Sequence, residues 1–406
     1  MQPQPSQPLP EVSASRRALA GFFVSGLILS FPGAILPAWG YHLRPNYLTV
    51  GNYFLALVIG VLAAIKVSRY VIAQRGLGGT LVLGCSIAFA SLLLLSLTSP
   101  PVEESWRFPG LLGLGLGAGL LNTAIFQALS PAFRINPAAT VNLAGIFFGL
   151  GSFISPLLIA GTFNLYDVST ILYVVALVPG FFAIGYARVT FPTADSAPQR
   201  PVKEILREFT VPAAVLLSLL LFVHFGNEWA IAGWLPLFLI LRLGLSPVNA
   251  LLLLLLYWLA LMLGRVACQA ILPRFSHAKL LLISILASLL GCLFLSFTNN
   301  LFGATIGTLL VGLGFAPIYP LVVGAIRSRF PHYHPGFFNG IFSIGLTGGM
   351  LAPATVGYLA DYMGLGAITL LPVAGSLVVL VLVLVIWLEA WFTRWHSAQT
   401  DHDRVT

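Results

Sequence analysis

TADSAPQRPVKEILR, residues 193–207, is the longest polar stretch inside a chain that is otherwise almost unbroken apolar sequence. Six apolar runs of membrane-spanning length precede it and six follow, so its position decides how the chain is organised. The runs are 18–43, 49–72, 77–98, 107–132, 137–163 and 168–192, then 209–241, 246–272, 277–297, 301–328, 336–362 and 365–393. A helix that crosses a bilayer needs about 20 apolar residues at 1.5 Å rise each. The expected architecture is an all-α membrane protein of twelve transmembrane helices in two parallel six-helix halves. Its parts are an N-terminal tail (1–17), a first bundle (18–192), a linker (193–208), a second bundle (209–393) and a C-terminal tail (394–406).

Composition agrees. Of 406 residues, 58% are hydrophobic and 8% charged, with a mean hydropathy of +0.96. Soluble domains carry about 25% charged residues, so the solvent this chain is built for is lipid. The net charge of +8 falls in short loops. Seventeen of the 20 basic residues fall on the side of the N-terminus, and Arg44, Arg107 and Arg242 on the other. Basic loops stay in the cytoplasm, so both termini are expected there, in a bacterial inner membrane or a plasma membrane. Arg16 and Arg17 open the first run, which is too long for a signal peptide and is expected to be retained. Basic residues do not interleave with aromatic ones in any polar segment, and nucleic acid is not an expected partner. Cys85, Cys268 and Cys292 lie in apolar runs without metal-ligand spacing; neither a metal nor a cofactor is expected.

The two groups of six share residues at a fixed offset of 197. Gly115-Leu116-Gly117 and Ala128 recur as Gly312-Leu313-Gly314 and Ala325; Gly151 and Pro156 recur as Gly348 and Pro353. This is the pattern of a duplicated, parallel repeat.

Polar side chains are distributed unevenly. Spans three, six, nine and twelve are nearly purely apolar and suit lipid contact. The others carry Asn52 and Tyr53, Asn122 and Gln127, Asn142, His224, Asn227 and Glu228, Tyr257, Gln269, Tyr319 and Asn339. An unpartnered polar group in hydrocarbon costs several kcal/mol, so placement on the same helices implies one shared polar cavity. APIYP (316–320) and WLP (234–236) should interrupt backbone hydrogen bonding and bend helices that line it.

Glu228 stands apart from the other acidic residues, which fall in tails, loops or near helix ends. Counted from residue 209 at 1.5 Å per residue, it lies about 28 Å along its span. An ionisable residue at that depth marks a functional site by default. His224, four residues earlier, shares its helix face. Arg265, about 12 Å from the end of its own span, looks too shallow to be its partner. Sugar sites combine amides, a carboxylate and an aromatic face; Asn122, Gln127, Asn142, Asn227, Glu228 and Trp229 supply that chemistry, with Tyr319 and Asn339 as further candidates. Coupling to a cation falls to Glu228 and His224.

FVHFGNEWAIAGWLPLFL (222–239), YWLALMLGRV (257–266), GLGFAPIYPLVVG (312–324) and NGIFSIGLTGGMLAPATVGYLAD (339–361) resemble the major facilitator superfamily, and within it the fucose–galactose–glucose symporter group. The resemblance implies a transporter, not an enzyme, that moves a sugar-like solute by alternating access. It further implies a small-molecule substrate, a coupling proton or sodium ion, surrounding lipid and a monomeric chain. Three departures stand beside it. The family's loop signature after span two is degenerate in KVSRYVIAQRG (66–76), the first span has no acidic residue, and Asn122 occupies the place of a family glutamate. An amide cannot carry a proton. Two other functions remain: an exporter of drugs, amphipaths or lipid-like molecules on the same fold, and an integral membrane enzyme.

Overall fold

The computed structural model describes residues 17–129, 137–191, 212–330 and 335–402. The tail before residue 17, the linker around 193–208 and the last four residues lie outside them. Among the described residues the chain is helical throughout. In order the helices are α1 (Gly21–Ile35), α2 (Tyr47–Leu97), a short 3-10 turn (Glu104–Arg107), α3 (Phe108–Ala128), α4 (Pro137–Thr162) and α5 (Val168–Ala187). After the linker come α6 (Pro212–Leu243), α7 (Pro247–Ile271), α8 (His277–Phe297), α9 (Leu301–Phe315), α10 (Ile318–Arg329), α11 (Pro335–Met363) and α12 (Ala367–His402).

Helix ends follow local chemistry. Asn46, Asp167, Ser246, Ser276 and Asn300 each cap a helix by accepting a backbone N–H three residues on. The first helix is shorter than its apolar run, which extends to residue 43. Gly40, at φ 81°, ends it: the Gly40 N–H donates to Pro37 O and the Tyr41 N–H to Leu36 O. That pair of bonds is a Schellman closure, which needs a left-handed residue at the position Gly40 holds. Gly76, at φ 67°, divides α2 into two helices that meet at a kink. The break expected at Ala316–Pro320 separates α9 from α10. At Trp234–Pro236 the helix is not divided: α6 continues to Leu243 with Pro236 inside it, where the proline removes one backbone donor. The last helix also continues past the expected end of its span, to His402.

Among the described residues, ten helical segments are long and apolar enough to cross a membrane. Burial follows the polar pattern only in part, since α4, which carries Asn142, is less buried than α8 and α12. The most apolar window of the first is 89% buried and that of α5 only 28%. Leu177, Phe181 and Ile184 of α5, and Leu377, Val381 and Leu388 of α12, are exposed. Outward rows of large apolar residues are stable only where the solvent is hydrocarbon.

Glycine brings the helices together. A methyl group on Gly151 of α4 would collide with the Phe23 carbonyl of α1, and one on Gly348 of α11 with the Phe222 carbonyl of α6. Likewise Gly115 of α3 lies on Leu57 O of α2, and Gly312 of α9 on Tyr257 O of α7. Residues 197 apart thus make corresponding contacts in the two parts of the chain, as small-residue helix faces do in membranes.

At one end of the bundle α1, α2, α6 and α11 meet without a gap. Gly51 faces Gly357 so closely that a side chain on Gly357 would meet the Gly51 and Tyr47 backbone. Gly33 rests on Ala232 O and Gly233. Trp234, fully buried, donates from Nε1 to Pro353 O at 2.8 Å and packs on Phe54 and Tyr47. Tyr358 Oη donates to Asn52 Oδ1. Asn52 therefore joins this seal. Tyr53 joins a buried cluster next to it, where Arg107 donates to Tyr41, Tyr53, Thr98 O and Val102 O and lies over Trp39. Arg107, at the start of its apolar run, is 2% exposed.

Candidate functional site

Below this seal lies a cavity of about 150 Å³. α1 and α2 contribute Phe22, Leu29, Phe54 and Leu57. α3 and α4 supply Asn122, Phe126, Thr140, Asn142, Gly145 and Phe148. From the second part come Phe225, Glu228 and Trp229 of α6, Arg265 of α7, Tyr319 and Pro320 of α10, and Leu346, Gly349, Met350 and Pro353 of α11.

Glu228 is the seventeenth residue of the 32-residue α6, half-way along it, and 3% exposed. Its Oε1 accepts from Arg265 NH2 at 3.3 Å. Its Oε2 lies 3.8 Å from His224 Nε2 and has no hydrogen-bond donor. Tyr257 Oη donates to the Glu228 carbonyl at 3.0 Å. Arg265 also reaches the other part of the chain, donating from NH1 to Gly145 O of α4 at 3.2 Å.

The Arg265–Glu228 contact corrects the expectation from depth. Helix side chains lean toward the N-terminus of their own helix. α6 and α7 are consecutive, so the two lean in opposite senses along the bundle, and an arginine near the far end of α7 reaches the middle of α6. Counting Cα positions alone missed that reach. The signal was present as one cation inside LLLLLLYWLALMLGRVACQAIL.

Four of the expected residues meet in the cavity beside Glu228. Asn122 accepts from Ser25 Oγ of α1 at 2.8 Å. Asn142 is 4% exposed and its Oδ1 has no donor; it sits in the second turn of α4, nearer the helix end than a mid-span residue. Trp229 packs edge-to-face on Phe148 and Trp258, at 5.7 and 6.1 Å between centroids. Tyr319 lies against Phe225 at 5.1 Å.

Three others do not join. Gln127 is exposed and absent from the lining; five residues after Asn122, it is turned about 140° around the helix. Asn227, buried at 2%, points at α12, where Gly375 leaves room for its amide; it lies about 100° from Glu228. His224 is fully buried between Phe225 and Phe315, and only its Nε2 edge approaches Glu228. Asn339 belongs to α11, and its side chain lies outside the described residues. Sequence reasoning had not singled out Arg265, Ser25, Thr140, Phe126 or Phe148 for the site. Serine and phenylalanine are too common in membrane helices to signal a site.

Chemically the cavity holds a cation–carboxylate pair, two amides and an aromatic wall within mostly apolar surroundings. Glu228 Oε2 and Asn142 Oδ1 are acceptors without donors, and Arg265 Nε is a donor without an acceptor. Each such buried group costs about 1–3 kcal/mol unpaired. Among the described residues no three His, Cys, Asp or Glu side chains gather as a metal site.

Apolar helices packed around a mostly apolar cavity that holds a buried ion pair, with walls drawn from both parts of the chain, define an integral membrane transport protein. The Major Facilitator Superfamily model matches residues 137–346, more than half of the chain, and the protein belongs to that family of transporters. It is 24% identical over 379 residues to an uncharacterised MFS-type transporter of Yersinia pestis, covering 90% of this chain and 96% of that one. It is 24% identical over 329 residues to the glucose/mannose transporter GlcP of Bacillus subtilis, covering 75% and 77%. The fold matches that of the nucleoside transporter NupG at a TM-score of 0.71, with 11% identity over 93% of this chain and 99% of that one.

Proposed function

We propose that this transporter moves a small polyhydroxylated solute across the membrane by alternating access, coupled to a cation through Glu228. The observation that carries the reading is the set of unpaired polar atoms in the cavity. A hydroxylated ring offers donors to Glu228 Oε2 and Asn142 Oδ1 and acceptors to Arg265 Nε, while its C–H face packs on Trp229. The glucose/mannose relative agrees with a sugar, and the nucleoside transporter of like fold also takes a ligand with a hydroxylated ring. Asn122, Asn142, Glu228, Trp229, Tyr319 and Arg265 are the proposed contacts.

The proposed scaffold is twelve spans in two six-helix halves, 18–192 and 209–393. Among the described residues ten segments are long and apolar enough to span; α2 counts as two because of its kink at Gly76, and α11 is the remaining one. The paired roles of Gly151 and Gly348, and of Gly115 and Gly312, favour the duplication. With the termini in the cytoplasm, as basic-residue bias suggests, the Gly51–Gly357 seal is the outer gate, and the cavity belongs to the state loaded from inside. The halves then rock about the Glu228–Arg265 level.

The test is equilibrium binding of a panel of labelled hexoses, pentoses, nucleosides and hydrophobic cations to the purified protein. Saturable binding of a hydroxylated ring, with competition among such rings, supports the proposal. Binding of hydrophobic cations alone would move the protein to the drug and amphipath exporters.

A further inference from the structure

Arg265 is the charged group in the cavity with the most hydrogen-bonding capacity left over. A guanidinium has five N–H donors in a planar fork. Here NH1 serves Gly145 O at 3.2 Å and NH2 serves Glu228 Oε1 at 3.3 Å, while Nε has no acceptor. The residue is 6% exposed. Its contact with Glu228 is also single and long. A well-made arginine–carboxylate pair is bidentate at about 2.7–2.9 Å. Glu228 leaves Oε2 unbonded to any donor at the same time. Both partners of this pair are therefore held in reach of each other without closing on each other.

We propose that Arg265 is the carboxylate-binding group of the site and that the preferred substrate is a sugar acid, a polyhydroxylated ring or chain bearing one carboxylate. The inference rests on the polyhydroxylated-solute reading above. A planar carboxylate in the cavity takes two parallel N–H bonds from the guanidinium, the geometry in which arginine excels. Asn122 and Asn142 meet the hydroxyls and Trp229 the C–H face. Arg265 then exchanges its internal partner for the ligand. Two carboxylates about one guanidinium leave a net negative charge in a low-dielectric cavity, so Glu228 takes a proton as the anion enters. The ligand's charge is then balanced by Arg265, and the complex is as neutral as the empty site. Among the described residues, the titratable and charged groups facing Glu228 are His224 on its own helix and Arg265 and Tyr257 on α7. One proton enters with each anion.

The experiment compares galacturonate, galactonate and galactose as ligands of the purified wild-type protein, then measures proton movement in proteoliposomes. We expect one or both acids to bind at least tenfold tighter than galactose, and acid uptake to alkalinise the external buffer. The preference should vanish in R265Q. The double variant E228Q/R265Q, which leaves no lone buried charge, gives the same readout if R265Q does not fold. Galactose binding as tightly as both acids would overturn the sugar-acid assignment and leave the polyhydroxylated-solute reading standing. Binding of none of the three would overturn both. An acid preference that survives in E228Q/R265Q would overturn the role of Arg265, and acid uptake without proton movement would overturn the exchange of partners.

Discussion

Arg265 and Glu228 approach to 3.3 Å between NH2 and Oε1, both buried, from positions that differ widely in depth along their own helices. Their side chains close the difference. The pair ties α7 to α6, and through Gly145 it ties both to α4, before the linker. One guanidinium thus touches the buried carboxylate, the cavity and the backbone of α4.

The two ends of this pair should not be equivalent in stability. Removing one partner of a buried pair costs about 3–5 kcal/mol when the other charge is left alone. A lone carboxylate can be protonated, whereas a lone guanidinium keeps its charge. Glu228→Leu is therefore expected to destabilise more than Arg265→Leu, and the double substitution less than either. Apparent Tm values in detergent check this order. Equal losses for the two single variants, adding up in the double, would show that the residues do not act as a pair.

Glu228→Gln keeps the shape of the site and removes the titration. Binding and substrate exchange should persist, while accumulation driven by an imposed pH gradient should be lost. Uptake into proteoliposomes with and without the gradient separates the two. Gradient-driven accumulation at the wild-type level would remove Glu228 from coupling.

Asn122→Ala and Asn142→Ala each delete one proposed ligand contact. A lost hydrogen bond costs about 0.5–1.5 kcal/mol, so each should weaken binding by roughly two- to tenfold. Asn227→Ala, whose side chain packs toward Gly375 outside the cavity, should leave affinity unaltered. Titration calorimetry on the three variants tests the division. Weaker binding in the Asn227 variant, with the other two intact, would reverse the assignment.

Gly357→Ala is expected to open the sealed end. The added carbon meets the backbone of Gly51 and Tyr47, and backbone cannot rotate out of the way as a side chain can. With native cysteines replaced by serine and a single cysteine at position 54, labelling by a membrane-impermeant maleimide should accelerate in the Gly357 variant. Unchanged labelling would place the gate elsewhere.

How much of this was legible in the sequence depends on the type of information required. Apolar runs could be read because bilayer thickness sets a length that they must meet. Between the runs ending at 72 and starting at 77 the sequence suggests a loop, where the structure has one helix kinked at Gly76. Glu228 was legible because an acid deep in hydrocarbon needs a reason. What could not be read was direction around and along a helix. Asn227 and Glu228 are neighbours in sequence and face different helices; Gln127 shares a span with Asn122 and faces away from the cavity. Arg265 was misjudged for the same reason, since its functional end lies several ångströms from its Cα. These are matters of rotation and side-chain lean, which partner helices decide.

The most direct test of the central claim is counterflow. Proteoliposomes containing the purified protein are loaded with millimolar unlabelled sugar or sugar acid and diluted into a trace of the labelled compound. The account predicts transient accumulation of label above equilibrium for at least one polyhydroxylated solute, reduced in the Asn142→Ala variant. Absence of counterflow for every sugar and sugar acid tried, in protein that remains folded, would contradict it.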